Sequence, residues 1–204
     1  MNGEKNAKPL KMPIAFIDIL AAHQLKEGIL CALIQRGQTG KGAKVSVSLY
    51  DAAIASLANQ ASNYLMTQSI PARIGSEHPN IAPYGDMFQT IEKDWIVLAV
   101  GTDKQFIDLL QVLDLSELLS DVKYITNALR VLNRAALNAV LTATIGSYTT
   151  EKLQGLLASR NIPFGRVKNM AEVFAHPHSQ NLILEDKIEN TSAKRVKTAI
   201  FKLD

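Results

Sequence analysis

Apolar side chains dominate positions 17–35, and the polar residues among them, His23, Gln24, Lys26 and Glu27, form one narrow strip. That pattern predicts a helix with most of its surface buried. The glycines of Arg36-Gly-Gln-Thr-Gly-Lys-Gly42 predict a turn that stops it. Val45, Val47 and Leu49 then alternate with Ser46 and Ser48, the period of a strand. Positions 51–66, rich in Ala and Leu, predict one long helix. Helix, turn, strand, helix is the rhythm of an α/β layer. One strand cannot cover two apolar helices, so this region needs strands that it does not itself contain.

The character changes after Ser69. Pro71, Gly75, Pro79, Pro83 and Gly85 predict an extended loop or linker. Strands are predicted at 84–90 and 95–100, joined by a hairpin turn at Glu92-Lys-Asp94. Phe106, Leu109, Leu110 and Leu113 mark the face of a helix that starts near Asp103. Leu129, Leu132, Leu137 and Leu141 mark a second, over 127–145, and Thr149 is a good N-cap for a third. Asn161-Ile-Pro-Phe-Gly165 ends that helix. Short helices follow at 169–174 and after Pro177, and 196–203 is expected as a strand. Two regions result: an α/β fragment up to about Ile70 and a smaller α+β unit from about Gly75 to Glu189.

Composition narrows the class. With 47% apolar residues in 204, the chain has material for a core. Its net charge of +3 is spread thinly; the basic clusters are Lys5, Lys8 and Lys11, and Lys194, Arg195, Lys197 and Lys202. Solvated ends explain them, and contact with phosphates is the sharper reading. Aromatic residues are only 6% and no stacking motif is present, so no nucleic-acid partner is expected. The single cysteine, Cys31, can form no internal disulfide and is expected as a small buried hydrophobe in a reducing compartment. The N-terminus lacks the apolar run of a signal peptide, and Gln24, Lys26 and Glu27 interrupt the longest apolar stretch. A cytoplasmic protein with no membrane partner is the expectation.

Several motifs have bland explanations. Gly37-Gln-Thr-Gly-Lys-Gly-Ala-Lys44 suggests a phosphate loop, but such loops run strand, loop, helix, with Ser or Thr after the Lys. Here Gly42 follows Lys41 and the order is helix, turn, strand. His176-Pro-His178 has no Cys partner to close a zinc site, and capping or surface histidines suffice. His23 reads as structural. His78 lies in the Pro/Gly-rich loop, where binding residues often occur. Asp18, alone in Ile14-Ala-Phe-Ile-Asp-Ile-Leu20, is either an N-cap or a carboxylate held in an apolar wall for nucleophilic or acid–base work.

Read as a set, several segments resemble the family III CoA-transferases, which include carnitine CoA-transferase, formyl-CoA transferase and α-methylacyl-CoA racemase. They are Phe16-Ile-Asp-Ile-Leu-Ala-Ala-His23, Gly28-Ile-Leu-Cys-Ala-Leu33 and Arg36-Gly-Gln-Thr-Gly-Lys-Gly-Ala-Lys-Val-Ser-Val-Ser-Leu49. His78-Pro-Asn-Ile-Ala-Pro-Tyr-Gly85, Val100-Gly-Thr-Asp-Lys-Gln-Phe106, Thr126-Asn-Ala-Leu-Arg-Val-Leu-Asn-Arg134 and Ile162-Pro-Phe-Gly165 continue the likeness in order. The resemblance implies an α/β fold: part of a Rossmann-like large domain plus a small α+β domain, as in interlocked homodimers. Residues 1–70 would end the first half of the large domain, 71–190 would be linker and small domain, and 191–204 the start of the return linker.

The resemblance also implies roles. Asp18 matches the catalytic aspartate, which in transferases attacks an acyl-CoA thioester. In racemases it exchanges an α-proton together with a histidine, which would lie upstream of residue 1. Asp103 falls where racemases carry a supporting acid. Gly75, His78 and Tyr84 are the candidates for contact with CoA. CoA or acyl-CoA is implied as substrate, with no permanently bound cofactor. The implied partners are acyl-CoA and a second copy or a complementing polypeptide. Gly75 stands alone where formyl-CoA-type enzymes carry a run of glycines, which argues against the oxalate and formate subgroup. Ala21 and Ala22 replace the usual glycine after the catalytic Asp and would narrow the acyl pocket. The resemblance further implies that the isolated chain is incomplete and inactive by itself; the alternative is a catalytically inactive truncated homologue or a subunit with an assembly role.

Overall fold

The computed structural model describes residues 2–203 and divides into two compact units, Met1–Ser76 and Glu77–Asp204. The whole is mixed α/β with small antiparallel sheets.

In the first unit, helix α1 (Phe16–Thr39) runs slightly past the predicted end. It stops where Gly40 turns left-handed (φ 70°) and its N–H reaches the Arg36 carbonyl at 2.8 Å. Helices α2 (Leu49–Ala55) and α3 (Ala58–Thr67) replace the single predicted helix. The break comes at Ser56 and Leu57, ahead of Ala58 with its positive φ of 48°. The expected strand over 45–49 is not formed. No described residue pairs with this stretch, and a strand exists only through its neighbour's hydrogen bonds. Ser48 instead caps α2 by accepting the Asp51 N–H at 3.0 Å. The segment still packs on α1. A Cβ on Gly28 would lie 2.6 Å from Val45 Cγ1, so glycine permits the approach.

The expectation of a mostly buried α1 fails in this chain. Ala21 is its one buried residue, while Leu30 and Ile34 are 53% and 65% exposed. Cys31, expected in a core, is exposed as well. An apolar helix signals that something covers it; it does not say that the covering element lies in the same stretch of sequence.

The second unit has a core of its own. Strands β1 (Tyr84–Gln89) and β2 (Trp95–Ala99) pair as predicted, through a turn in which Lys93 takes φ 68°. A third strand, β3 (Phe164–Arg166), pairs antiparallel with β2 and was not foreseen. Its three residues are too few to show a period. Helix α4 (Asp103–Val112) starts at a capping box of Thr102 and Gln105. Helices α5 (Asn127–Leu132) and α6 (Arg134–Ile145) divide the predicted 127–145 helix at Asn133. Helix α7 (Thr150–Ser159) is capped by Thr149, as expected. Phe88, Ile96 and Leu98 from the sheet meet Phe106, Leu109 and Leu110 of α4, Leu137 and Leu141 of α6, and Leu153 and Leu157 of α7. Leu132 is 79% exposed, against expectation, because α5 turns Arg130 inward instead.

Helices α8 (Met170–Ala175) and α9 (Pro177–Gln180) follow, and His176 Nδ1 accepts the His178 N–H at 3.2 Å, a capping role. Strands β4 (Ile183–Ile188) and β5 (Thr191–Val196) form a separate hairpin. Its two-residue turn, Glu189-Asn190, has positive φ at both positions, as a type I′ turn requires. The strand expected at 196–203 is therefore corrected: the pairing ends at Val196 and the chain continues without regular structure. No helix among the described residues is long and apolar enough to cross a membrane.

A polar cluster fastens the sheet to α7. Thr90 and Thr150 hydroxyls lie 2.9 Å apart, and the Thr150 hydroxyl donates to Asp94 at 2.7 Å. Arg166 joins Asp94 to Glu172 at 3.0 and 2.9 Å. The Thr150 hydrogen bond, more than the Arg166 charge, holds the Asp94 carboxyl below its ordinary range against a smaller desolvation effect.

Two outcomes follow. Leu141→Ala should destabilise the protein by about 2–5 kcal/mol in urea denaturation, whereas Leu132→Ala should stay within about 0.5 kcal/mol. Asp94 binds its proton less readily folded than unfolded, so its stabilisation is complete above the unfolded pKa and is lost as pH falls through the folded one. Asp94→Asn should flatten the acid limb of a Tm-against-pH curve, leaving the neutral-pH slope unchanged.

Candidate active site

The sequence-predicted residues fall in both units. Asp18 and Gly75 belong to the first; His78, Tyr84 and Asp103 belong to the second.

Asp18 does not cap α1. The helix starts at Phe16 with Ala15 in the capping position and no side-chain cap, which puts Asp18 in the first turn. The N-cap reading is thereby corrected. The Asp18 carboxylate is exposed and accepts no hydrogen bond from any described residue. It stands near the positive end of the helix dipole, between the exposed apolar side chains of Phe16 and Ile19. Nothing structural among the described residues consumes this carboxylate. Gly75 takes φ +71° and donates its N–H to the Gly3 carbonyl at 3.1 Å. A side chain there would be strained and would meet the Glu4 carboxylate at 3.0 Å.

In the second unit, one loop brings three of the predicted residues into a single network. The His78 ring meets Tyr84 edge to face at 5.4 Å, and its backbone N–H bonds to the Tyr84 carbonyl at 2.9 Å. His78 Nδ1 accepts the Asn80 N–H at 3.1 Å, which assigns the neutral ring's proton to Nε2. Asp103 accepts from Arg130 at 2.6 Å.

The groups that build this loop were not recognised from the sequence. Arg130, 3% exposed, donates Nε to the Ala82 carbonyl at 3.0 Å and a terminal N–H to the Tyr124 carbonyl at 3.2 Å, with its plane 4.4 Å from the Phe106 ring. Arg134 donates Nη2 to the carbonyls of His78 and Ile81 at 2.5 and 2.7 Å, and its Nη1 is shared between both oxygens of the buried Asp86 at 3.1 and 3.2 Å. Asn138 donates to the same carboxylate at 2.7 Å. Asn127 takes the Ala82 N–H at 3.2 Å and donates to the Asn80 carbonyl at 2.7 Å. The available signal was spacing: Asn127, Arg130 and Arg134 recur at three and four residues, which puts them on one helical face. Arginine is mostly an outward residue, so this spacing does not by itself mark a buried face.

Comparison with known proteins agrees with the resemblance. A sequence model described as CoA-transferase family III matches residues 1–204. The human succinyl-CoA:glutarate CoA-transferase is 34% identical over 177 residues, covering 87% of this chain and 40% of that protein. The acetyl-CoA:oxalate CoA-transferase of Acetobacter aceti is 31% identical over 160 residues, covering 78% of this chain and 41% of that protein. The crystal structure of a CAIB/BAIF family protein from Brucella suis superposes with a TM-score of 0.74 at 35% identity, over 100% of this chain and 53% of its own. The chain spans about two fifths to half the length of these relatives.

Arg134→Met would leave the Asp86 carboxylate buried with Asn138 alone. A loss of about 3–5 kcal/mol in urea denaturation is expected, partly recovered in the Arg134→Met, Asp86→Leu pair.

Proposed function

This chain belongs to CoA-transferase family III, and we propose that the protein moves coenzyme A from one acid to another through Asp18. The observation that carries the reading is the family match along all 204 residues, in a chain whose Asp18 is an exposed, unengaged carboxylate. The human and Acetobacter aceti relatives are named as CoA-transferases, which favours transfer over racemisation. Both names include dicarboxylic acids, glutarate and oxalate, so short dicarboxylates are the first acids to test. The lone Gly75 speaks for glutarate before oxalate.

The steps follow from carboxylate chemistry. An Asp18 oxygen attacks the thioester carbonyl, the C–S bond breaks, and CoA leaves as a thiolate while a mixed anhydride forms. The thiolate attacks the Asp18 carbonyl and releases the donor acid, leaving an aspartyl-CoA thioester. The acceptor carboxylate attacks that carbonyl and again expels the thiolate. Attack of the thiolate on the acceptor's acyl carbon then frees Asp18. CoA enters as part of the substrate and leaves as part of the product. The exposed apolar face of α1 would be covered by a second copy or a complementing polypeptide.

Succinyl-CoA and glutarate should yield glutaryl-CoA, and Asp18→Asn should lower that rate on the order of 10³-fold or more. Near wild-type rates in Asp18→Asn would refute the proposed nucleophile. Deuterium uptake at the α-carbon of a 2-methylacyl-CoA, without transfer, would establish racemisation in its place.

A further inference from the structure

Arg73, between Pro71 and Gly75 in the first unit, carries a guanidinium whose Nε is buried with no hydrogen-bond partner. The residue is half-buried, and it makes no hydrogen bond or ion pair with any described residue. Arginine has five N–H donors, no acceptor, and cannot shed its proton. The Arg73 Nε–H is thus withdrawn from water unpaired, while the terminal N–H groups stay open to solvent and to an anion that arrives from it.

The surroundings hold the side chain in place without supplying a partner. The buried Gly3 (φ +129°) lies against its stem: a Cβ there would meet Arg73 Cδ at 3.1 Å and the Lys8 carbonyl at 3.0 Å. The turn containing Gly3 is fixed by the Gly75 N–H to its carbonyl at 3.1 Å and by the Leu10 N–H to Asn2 at 3.1 Å. Glu4 is the one acid in this segment. Its carboxylate rests beside Gly75 and does not pair with Arg73. Lys5, Lys8 and Lys11 on the same segment are exposed and make the local field positive.

We propose that Arg73 is the anchor of an oxyanion site, taking a carboxylate or phosphate group in bidentate fashion against the 2–10 turn. The site stands on the geometry of the first unit and does not depend on the transfer reaction. Phosphate-bearing and carboxylate-bearing ligands share the required chemistry, and the test separates them.

The protein is melted in glutarate, in inorganic phosphate and in 3′,5′-ADP, each against sodium chloride at matched ionic strength. One or more of these anions should raise Tm by roughly 2–4 °C at saturation, and Arg73→Met should abolish the rise. A rise confined to glutarate assigns a carboxylate; a rise with phosphate or 3′,5′-ADP assigns a phosphate. Equal rises in both proteins, or none in either, would overturn the proposal. A fall in Tm on Glu4→Gln in plain buffer would overturn it too, since Glu4 would then be the arginine's own partner. If Arg73→Met fails to fold, the Arg73 Nε–H resonance of the unaltered protein is followed by NMR. It should move on titration with the active anion, and a resonance unmoved by all three anions would overturn the site.

Discussion

The shape of the loop that enters the second unit rests on two buried guanidinium groups. The loop from His78 to Ala82 belongs to no sheet, so its carbonyls have no ladder to satisfy them. Arg130 and Arg134 supply the donors: the His78, Ile81 and Ala82 carbonyls each receive an arginine N–H. One planar fork can serve several acceptors at once, which a lysine could not do with the same geometry. The charges are balanced where they lie, Arg134 by the buried Asp86 and Arg130 by Asp103. With the loop fixed, the His78 ring is set against Tyr84. Asp103, read from the sequence as a candidate catalytic acid, is here bonded to the arginine that holds the same loop.

The legible parts of the fold were those whose signal is local. The β1–β2 hairpin, the α4 face and the Thr149 cap could be read because each is fixed by residues a few positions apart. What failed was decided by distant partners. The 45–48 segment has the alternation of a strand and no described strand beside it. Helix α1 and Cys31 have the composition of a core and are exposed. Leu132 was expected inside and Arg130 was passed over; the structure reverses them, because Arg130 finds acceptors and a ring face within reach. The β4–β5 hairpin was hidden by its turn, since Glu189-Asn190 lacks the glycine that usually marks such turns.

The two units differ in how complete they are. The second buries a continuous apolar core between its sheet and helices. The first presents Phe16 and Ile19 to solvent beside Asp18, and Leu30 and Ile34 farther along α1. The proposed nucleophile thus lies in the unit with the more uncovered apolar surface. A carboxylate in such surroundings, once covered, would lie in a low-dielectric wall, where a charged nucleophile is more reactive than in water. That links the open face of α1 to the proposed role of its first-turn aspartate.

Amide hydrogen exchange tests the arginine-held loop most directly. The His78 N–H, bonded to Tyr84, and the Ala82 N–H, bonded to Asn127, lie outside every strand and helix of the unit. If the two guanidiniums fix the loop as described, these amides should be protected to nearly the same degree as the amides of β2. Exchange at unstructured-chain rates in this loop, with β2 and α6 still protected, would contradict the account.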